Sequence, residues 1–446
     1  MIRVAAALSV VLAALALAGC GGGGSKSSSS TTKDTAAADK TPVTLTFWSP
    51  FTARELHVMD DGIARFHKRY PWIKVKSVGA ITADKVTAAI HAGNPPDVAS
   101  MFETDELGAF CNSGAWQDLN KYIDADNFDM NQFPKTIRDY TAYKDKRCAL
   151  PFLADSYGLY YNKALLAKAG ITQPPKTVDE LAADAKKLTT RNPDGSLKVV
   201  GFNPLMGWYE NAPVHFGPMW GATWMNGDKS GLADSPGWEE MARWQKKLID
   251  WYGYDKLVRW QAGTGDEFSA SNAFEAGKVA MNLDGEYRIG FIKAEAPKLD
   301  FGTAPPPTSK PDLYGTSFVI GTIMGMPKGA KHADAAWLFL KFFSTDPKTL
   351  AQMSNGLANI PSTLASLKST ELKYDPRFKT FMDVFANPKS STQPVLSIGS
   401  QNQTLFASFL TKWQAGHVKD QDLHAGIENV DKQIDNALEQ AGSNVP

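Results

Sequence analysis

VTLTFWSPFTARELHVMDDGIARFHKRYPWIKVKSVGAITADKVTAAIHAGNPPDVASMF, residues 43–102, decides the fold class. Val43, Leu45 and Phe47 alternate with Thr44 and Thr46, the period of a half-buried strand, and the run ends at Trp48-Ser49-Pro50. Leu56, Met59, Ile63 and Phe66 then recur at helical spacing up to Tyr70-Pro71, where proline closes the pattern. Ile73 to Val75 alternates again, and Asp84 to Ala92 predicts a short helix. After the breaker Gly93-Asn94-Pro95-Pro96-Asp97 comes the apolar run Val98 to Phe102. Strand, helix, strand, helix, strand is the order of an α/β lobe on a mainly parallel sheet.

The rest of the chain continues in that style. Leu159 to Tyr161 predicts a strand, and Lys163 to Ala169 a helix stopped by Gly170. Thr177-Val178-Asp179-Glu180 is a capping box, in which hydroxyl and carboxylate satisfy the first N–H groups of a helix reaching Leu188. Trp238 to Tyr252 is amphipathic, and Phe274 to Met281 reads as a helix end, a glycine stop at Gly277 and a strand. Helices are expected at Ala335 to Phe343, Pro347 to Asn355 and Asn429 to Ala441. From Val43 onward about 400 residues remain, more than one hydrophobic core serves, so two lobes are expected.

Upstream, Arg3 precedes Val4 to Leu17, apolar throughout but for Ser9. That run is shorter than the about 20 residues of a membrane span and reads as a removable signal, residues 1–19. Leu17-Ala18-Gly19-Cys20 resembles the bacterial lipobox, which implies lipid on Cys20 and the extracytoplasmic face of the cell membrane as address. Residues 20–42 hold that cysteine and a Gly/Ser-rich leash with no apolar period, spanning roughly 25 Å.

Lys and Arg total 47, as do Asp and Glu, so no electrostatic footprint for nucleic acid is offered. Cys111 and Cys148 are an even pair in an exported chain, which favours a structural disulfide; two buried thiols are the alternative. The seven His show no metal-ligand spacing, and neither a nucleophile elbow nor a phosphate-cradling loop occurs, so no metal, cofactor or catalysis is expected.

Six fragments in order resemble the extracellular solute-binding proteins of ABC importers, in the sugar-binding group that includes the maltodextrin-binding protein. They are Leu45 to Trp48; Ala64 to Val75; Gly93 to Val98; Leu150-Pro151-Phe152 with Tyr160 to Lys163; Phe274 to Met281; and Met326 to Trp337. The resemblance implies a two-lobed periplasmic-binding-protein-like fold of class II, with a ligand cleft between lobes joined by hinge crossovers. It places crossovers near 150–155, 318–327 and 360–373, lobe 1 at 43–152 with 327–365, and lobe 2 at 153–320 with 370–446. A monomer that hands a carbohydrate to a membrane permease is the implied role.

Ligands of such sheets sit beyond the carboxyl ends of strands. That selects Trp48, Ser49 and Phe51 after the first strand. After the third come Glu103, Thr104 and Asp105, where a helix N-terminus is the competing reading. Asp155 follows the first crossover, where the family's sugar binders often carry a carboxylate able to bind two hydroxyls, and Tyr157 is close by. Trp208 and Tyr209, in the loop Met206 to Asn211, offer an aromatic platform for a sugar ring, with Trp220 and Trp224 as lesser candidates. Gly285 and Tyr287 lie where the resemblance puts an aromatic ring against ligand, and Gly315 and Thr316 mark the second crossover. Trp244, Trp337 and Trp413 sit at helical spacing and read as core. The competing functions are capture of a peptide, polyamine or metal chelate, and a lipid-anchored glycoside hydrolase.

Overall fold

The computed structural model describes residues 40–102 and 104–443. The signal, Cys20, most of the leash and Glu103 lie outside the described residues. Among these residues no helix is long and apolar enough to cross a membrane.

Three strands open the sheet as the pattern predicts: β1 (Val43–Trp48), β2 (Ile73–Val78) and β3 (Val98–Met101), with β1 parallel to both neighbours. The other five are β4 (Leu150–Asn162), β5 (Met281–Gly285), β6 (Phe301–Ala304), β7 (Val319–Gly325) and β8 (Ile360–Pro361). The order is β6-β4-β7-β3-β1-β2, with β5 and β8 also pairing with β4. Every pairing of β4 and β7 is antiparallel, so the sheet is parallel only around β1 and not mainly parallel as expected.

β4 departs most from the sequence reading. Leu150 to Asp155 was expected as a crossover separate from a strand at Leu159, yet thirteen residues form one strand. Pro151 lacks an N–H, and the ladder accommodates it beside an irregularity in β7 between Gly321 and Ile323. The first half of β4 pairs with β7 and β8, the second with β5 and β6. The segment before β5 also differs: residues 273–277 form a turn, not a helix end. Asn272 Oδ1 accepts from the N–H groups of Phe274 and Glu275, and the chain then leaves through Gly277 at φ +66°.

Leu45 and Phe47 on β1 are buried against the helix Ala333–Thr345, with Phe47 and Phe66 rings 5.0 and 5.2 Å from Phe339. Trp244, Trp337 and Trp413 are core, and the capping box at Thr177 forms with both hydrogen bonds. Cys111 and Cys148 are joined by a disulfide, their Cα atoms 5.7 Å apart.

Asp97, at the end of the Gly93 turn, ties three segments together. One carboxylate oxygen accepts from Thr46 N (2.8 Å) and Thr46 Oγ1 (2.9 Å), the other from the N–H groups of Lys331 and His332 (3.1 Å each). Burial works to raise its pKa, but these bonds and the His332 imidazole outweigh it and hold the carboxyl below its usual range. Asp97→Ala leaves several part-buried donors without their charged acceptor and is expected to cost about 1–3 kcal/mol by denaturant unfolding. The stabilisation is complete above about pH 4 and disappears as pH falls through the lowered pKa. A loss below about 0.5 kcal/mol at pH 7 would contradict this account.

Candidate ligand-binding site

Strand alternation sends Asp155 and Tyr157 to one face of β4, toward residues delivered by β5 and its exit. There Glu286 is fully buried; its Oε2 accepts from Ser156 N at 2.9 Å, and its Oε1 lies 3.3 Å from Asn359 Nδ2. The same Asn359 amide donates to Asp155 Oδ1. The two carboxyls are hydrogen-bonded to each other. Burial first, then the charge of Asp155, pushes Glu286 well above its usual range. Burial, with the charge of Glu210, raises Asp155 to about 6 against the hydrogen bonds of Glu286 and Asn359. The pair therefore keeps a proton to higher pH than an exposed carboxyl would.

A second group adjoins it. Tyr287 donates its hydroxyl to Glu210 Oε1, and the His215 ring contacts the Glu210 carbonyl. Arg288, 1% exposed, donates from Nε to Asp284 Oδ2 (2.8 Å) and from a terminal nitrogen to Glu267 Oε1 (3.0 Å). Burial lowers the pKa of this guanidinium, but Asp284 and Glu267 outweigh that and raise it. Burial and the charge of Glu210 raise both acids, Asp284 adding to the rise of Glu267, with Arg288 opposing. Oxygens of Glu210, Glu267 and Asp284 lie within 4.8 Å of one another, close enough for a metal ion, but Arg288 already supplies a cation to two of them. Burial keeps His215 below its usual pKa, against the pull of Glu210.

Tyr157 joins these acids to an aromatic wall. Its ring lies 4.0 Å from His215 and 5.8 Å from Phe318, and its hydroxyl is hydrogen-bonded with Tyr287. Val214 and Phe318 face a cavity of about 440 Å³, whose other walls include Asp139, Trp224 and Gln393.

The sequence candidates thus divide. Asp155, Tyr157, Tyr209, Gly285 and Tyr287 meet in one node; Tyr209 anchors there by donating to Gly265 O and accepting from Ala273 N, at φ +49°. Gly285 is buried, its carbonyl accepting from Tyr160. Trp208 is 3% exposed and stacked on Tyr209 at 4.2 Å. Thr104 and Asp105 are held by Gln393 and Gln403, at the cavity's edge. Gly315 and Thr316 stand just before Phe318, with the Gly315 carbonyl bound by Asn387. Trp48 is half-buried, and Ser49 and Phe51 are packed in the core around β1. Sequence reasoning did not select Glu210, Glu267, Asp284, Glu286, Arg288 or Asn359. Four of these stand in or beside the loop Met206–Asn211 and the segment Leu283–Tyr287, and the cluster of charges at Asp284, Glu286 and Arg288 at the end of the strand was the available signal.

A two-lobed sheet protein with polar and aromatic groups gathered along a strand common to both parts of its sheet is a binding protein by architecture. The chain belongs to the bacterial extracellular solute-binding protein family, whose pattern matches residues 63–380. It is 30% identical to a putative binding protein of Brucella abortus over 59% of this chain and 61% of that one. It is 28% identical to the maltotriose-binding protein of Pyrococcus abyssi over 65% of this chain and 59% of that one. These matches span about three-fifths of the relatives' length. Among solved structures, the mannotriose-bound protein CpMnBP1 superposes with a TM-score of 0.77 at 27% identity, over 88% of this chain and 100% of that one.

The raised pKa of Asp155 has a measurable sign. The folded protein keeps a proton that the unfolded chain releases, so Asp155 destabilises progressively as pH climbs from about 4 to about 6. His215 acts oppositely, its cost growing as pH falls below about 6.5, so the comparison is with Asp155→Asn rather than with pH alone. The melting temperature of Asp155→Asn relative to the parent is expected to rise between pH 4 and 7; a difference that ignores pH would refute the retained proton.

Proposed function

We propose that this chain captures a carbohydrate outside the cytoplasm and delivers it to the membrane permease of an ABC transporter, held nearby by lipid on Cys20. The observation that carries the reading is the node on β4, where hydrogen-bonding carboxyls stand beside Tyr157 and Tyr287, with Tyr157 packed on Val214 and Phe318, two residues that line a cavity of about 440 Å³. Sugars need that combination, since their rings have apolar faces and polar rims. The maltotriose-binding relative and the mannotriose-bound structural neighbour support a saccharide ligand. Lobes at 43–152 with 327–365 and at 153–320 with 370–446 would close on it by bending at the crossing strands.

Binding without hydrolysis is part of the proposal. Asp155 and Glu286 touch through a hydrogen bond, closer than the about 5 Å that separates the carboxyls of a retaining glycosidase. Such a pair suits gripping hydroxyls and not flanking a scissile bond.

A thermal-shift panel of oligosaccharides, peptides and metal chelates tests the reading. A ligand at a hundredfold excess over Kd adds about 2.7 kcal/mol, a shift of several degrees. Saccharides are expected to give the hits, and a response confined to peptides or chelates would reject the proposal. Tyr287→Ala should weaken the best saccharide by about tenfold or more in calorimetry, and unchanged affinity would move the site elsewhere.

A further inference from the structure

The node on β4 is unbalanced in charge. Asp155, Glu210, Glu267, Asp284 and Glu286 converge there, and among the described residues Arg288 is the sole Lys or Arg side chain paired with any of them. Arg288 is committed to Asp284 and Glu267. Asp155 and Glu286 have the amide of Asn359, and Glu210 has the Tyr287 hydroxyl and His215. No permanent cation therefore answers the second set.

Two further features point to a missing donor. Asn282, 1% exposed, reaches into the node with its amide nitrogen 3.3 Å from Asp284 Oδ2, and its Oδ1 has no partner. Glu275, 2% exposed and 3.5 Å from Arg288, leaves Oε2 unpartnered. The approach is open: Glu210 and Glu267 each keep 15% of their side-chain surface. It is also aromatic, since Tyr157 feels the fields of Glu210, Asp155 and Glu286 together and its hydroxyl meets that of Tyr287. Carboxylates with aromatic faces beside them form a site for an ammonium group, which they meet by charge-assisted hydrogen bonds and by ring quadrupoles. Neutral hydroxyls can fill acceptors but cannot offset the charge.

We infer that the solute carries a protonated amine, as an amino sugar does, and that Glu210 with the Asp155–Glu286 pair receives it against Tyr157 and Tyr287. The inference rests on the carbohydrate reading and narrows it. The ammonium supplies the cation that these three acids lack, so a proton kept by the Asp155–Glu286 pair in the empty site is released as it enters. Specificity then comes from charge: acetylating the amine removes the cation and adds bulk, leaving the acids uncompensated.

Calorimetric titration of the protein at pH 7 with a β-1,4-linked glucosamine disaccharide, its di-N-acetyl form and mannobiose decides the matter. The free amine is expected to bind about tenfold more tightly than either neutral sugar. Glu210→Gln and Asp155→Asn should each cut that preference to about threefold or less, in proteins whose unliganded melting curves show them folded. Equal or tighter binding of a neutral sugar overturns the inference and leaves the carbohydrate reading in place. If none of the three binds and hits arise among peptides or chelates, both fall together.

Discussion

The hydrogen-bonded run of β4 is the constraint on which the rest depends. One uninterrupted strand, Leu150–Asn162, serves as partner to β7 and β8 in its first half and to β5 and β6 in its second. Its two faces have different work. Ser156, Gly158 and Tyr160 face the helix Lys379–Ala386: Ser156 Oγ donates to Phe381 O at 2.9 Å, and a Cβ at Gly158 would stand 2.8 Å from the Phe381 ring. Asp155 and Tyr157 point the other way, into the node. Because the side-chain period of a strand is two, a one-residue slip would exchange the faces, driving a carboxylate into the Phe381 contact and taking Tyr157 from the site. Packing on one face therefore fixes chemistry on the other.

Two aspartates, Asp97 buried and Asp155 half-buried, show how the same side chain can serve structure or stand ready for a ligand. Asp97 collects four hydrogen bonds across its two oxygens from two other segments, and its pKa falls despite burial. Its capacity is spent within the fold, which is what a strut requires. Burial, with the nearby charge of Glu210, raises the pKa of Asp155 against the one amide it shares with Glu286. Burial without sufficient donors is unfavourable for the empty protein. The unfavourable term is relieved when a ligand brings donors, and that difference between empty and filled states is binding free energy. Asp97 has nothing comparable to gain.

Much of this architecture was legible because local rules and tertiary structure agree. The alternation of Val43 to Phe47, the helical spacing of Leu56 to Phe66 and the Thr177 capping box each describe a short segment whose own chemistry suffices. The turn Gly93 to Asp97 was visible for its breakers, while the bonds that give Asp97 its purpose reach residues 331 and 332 and leave no local trace. The segment 150–155, expected as a crossover, runs on as the first half of β4, a continuity that neighbouring strands, including an irregular β7, impose and no local pattern carries. At the candidate site, Tyr209 could be marked from the aromatic composition of its loop and Tyr287 from the family resemblance. The acids were harder. Glu210, Glu267 and Glu286 look like ordinary surface residues until β4 and β5 fold them together, and burial is a tertiary property.

Asn359 shows how closely site and scaffold are bound. The helix Pro347–Leu357 ends at Ala358 in the left-handed region, φ +63°, a conformation that lacks favour outside glycine. That reversal sets Ile360 opposite Ala154 on β4 and brings the Asn359 amide to Asp155 and Glu286. The three residues come from segments far apart in the chain, on β4, after β5 and before β8. A hydrogen bond weakens steeply once its donor and acceptor part or tilt. Any shift of β8 along β4 therefore takes the Asn359 amide away from one carboxyl or the other, and raises the cost of leaving them charged. A ligand that supplies new donors lowers that cost, so occupancy of the node and the relative position of these strands are energetically coupled through one amide.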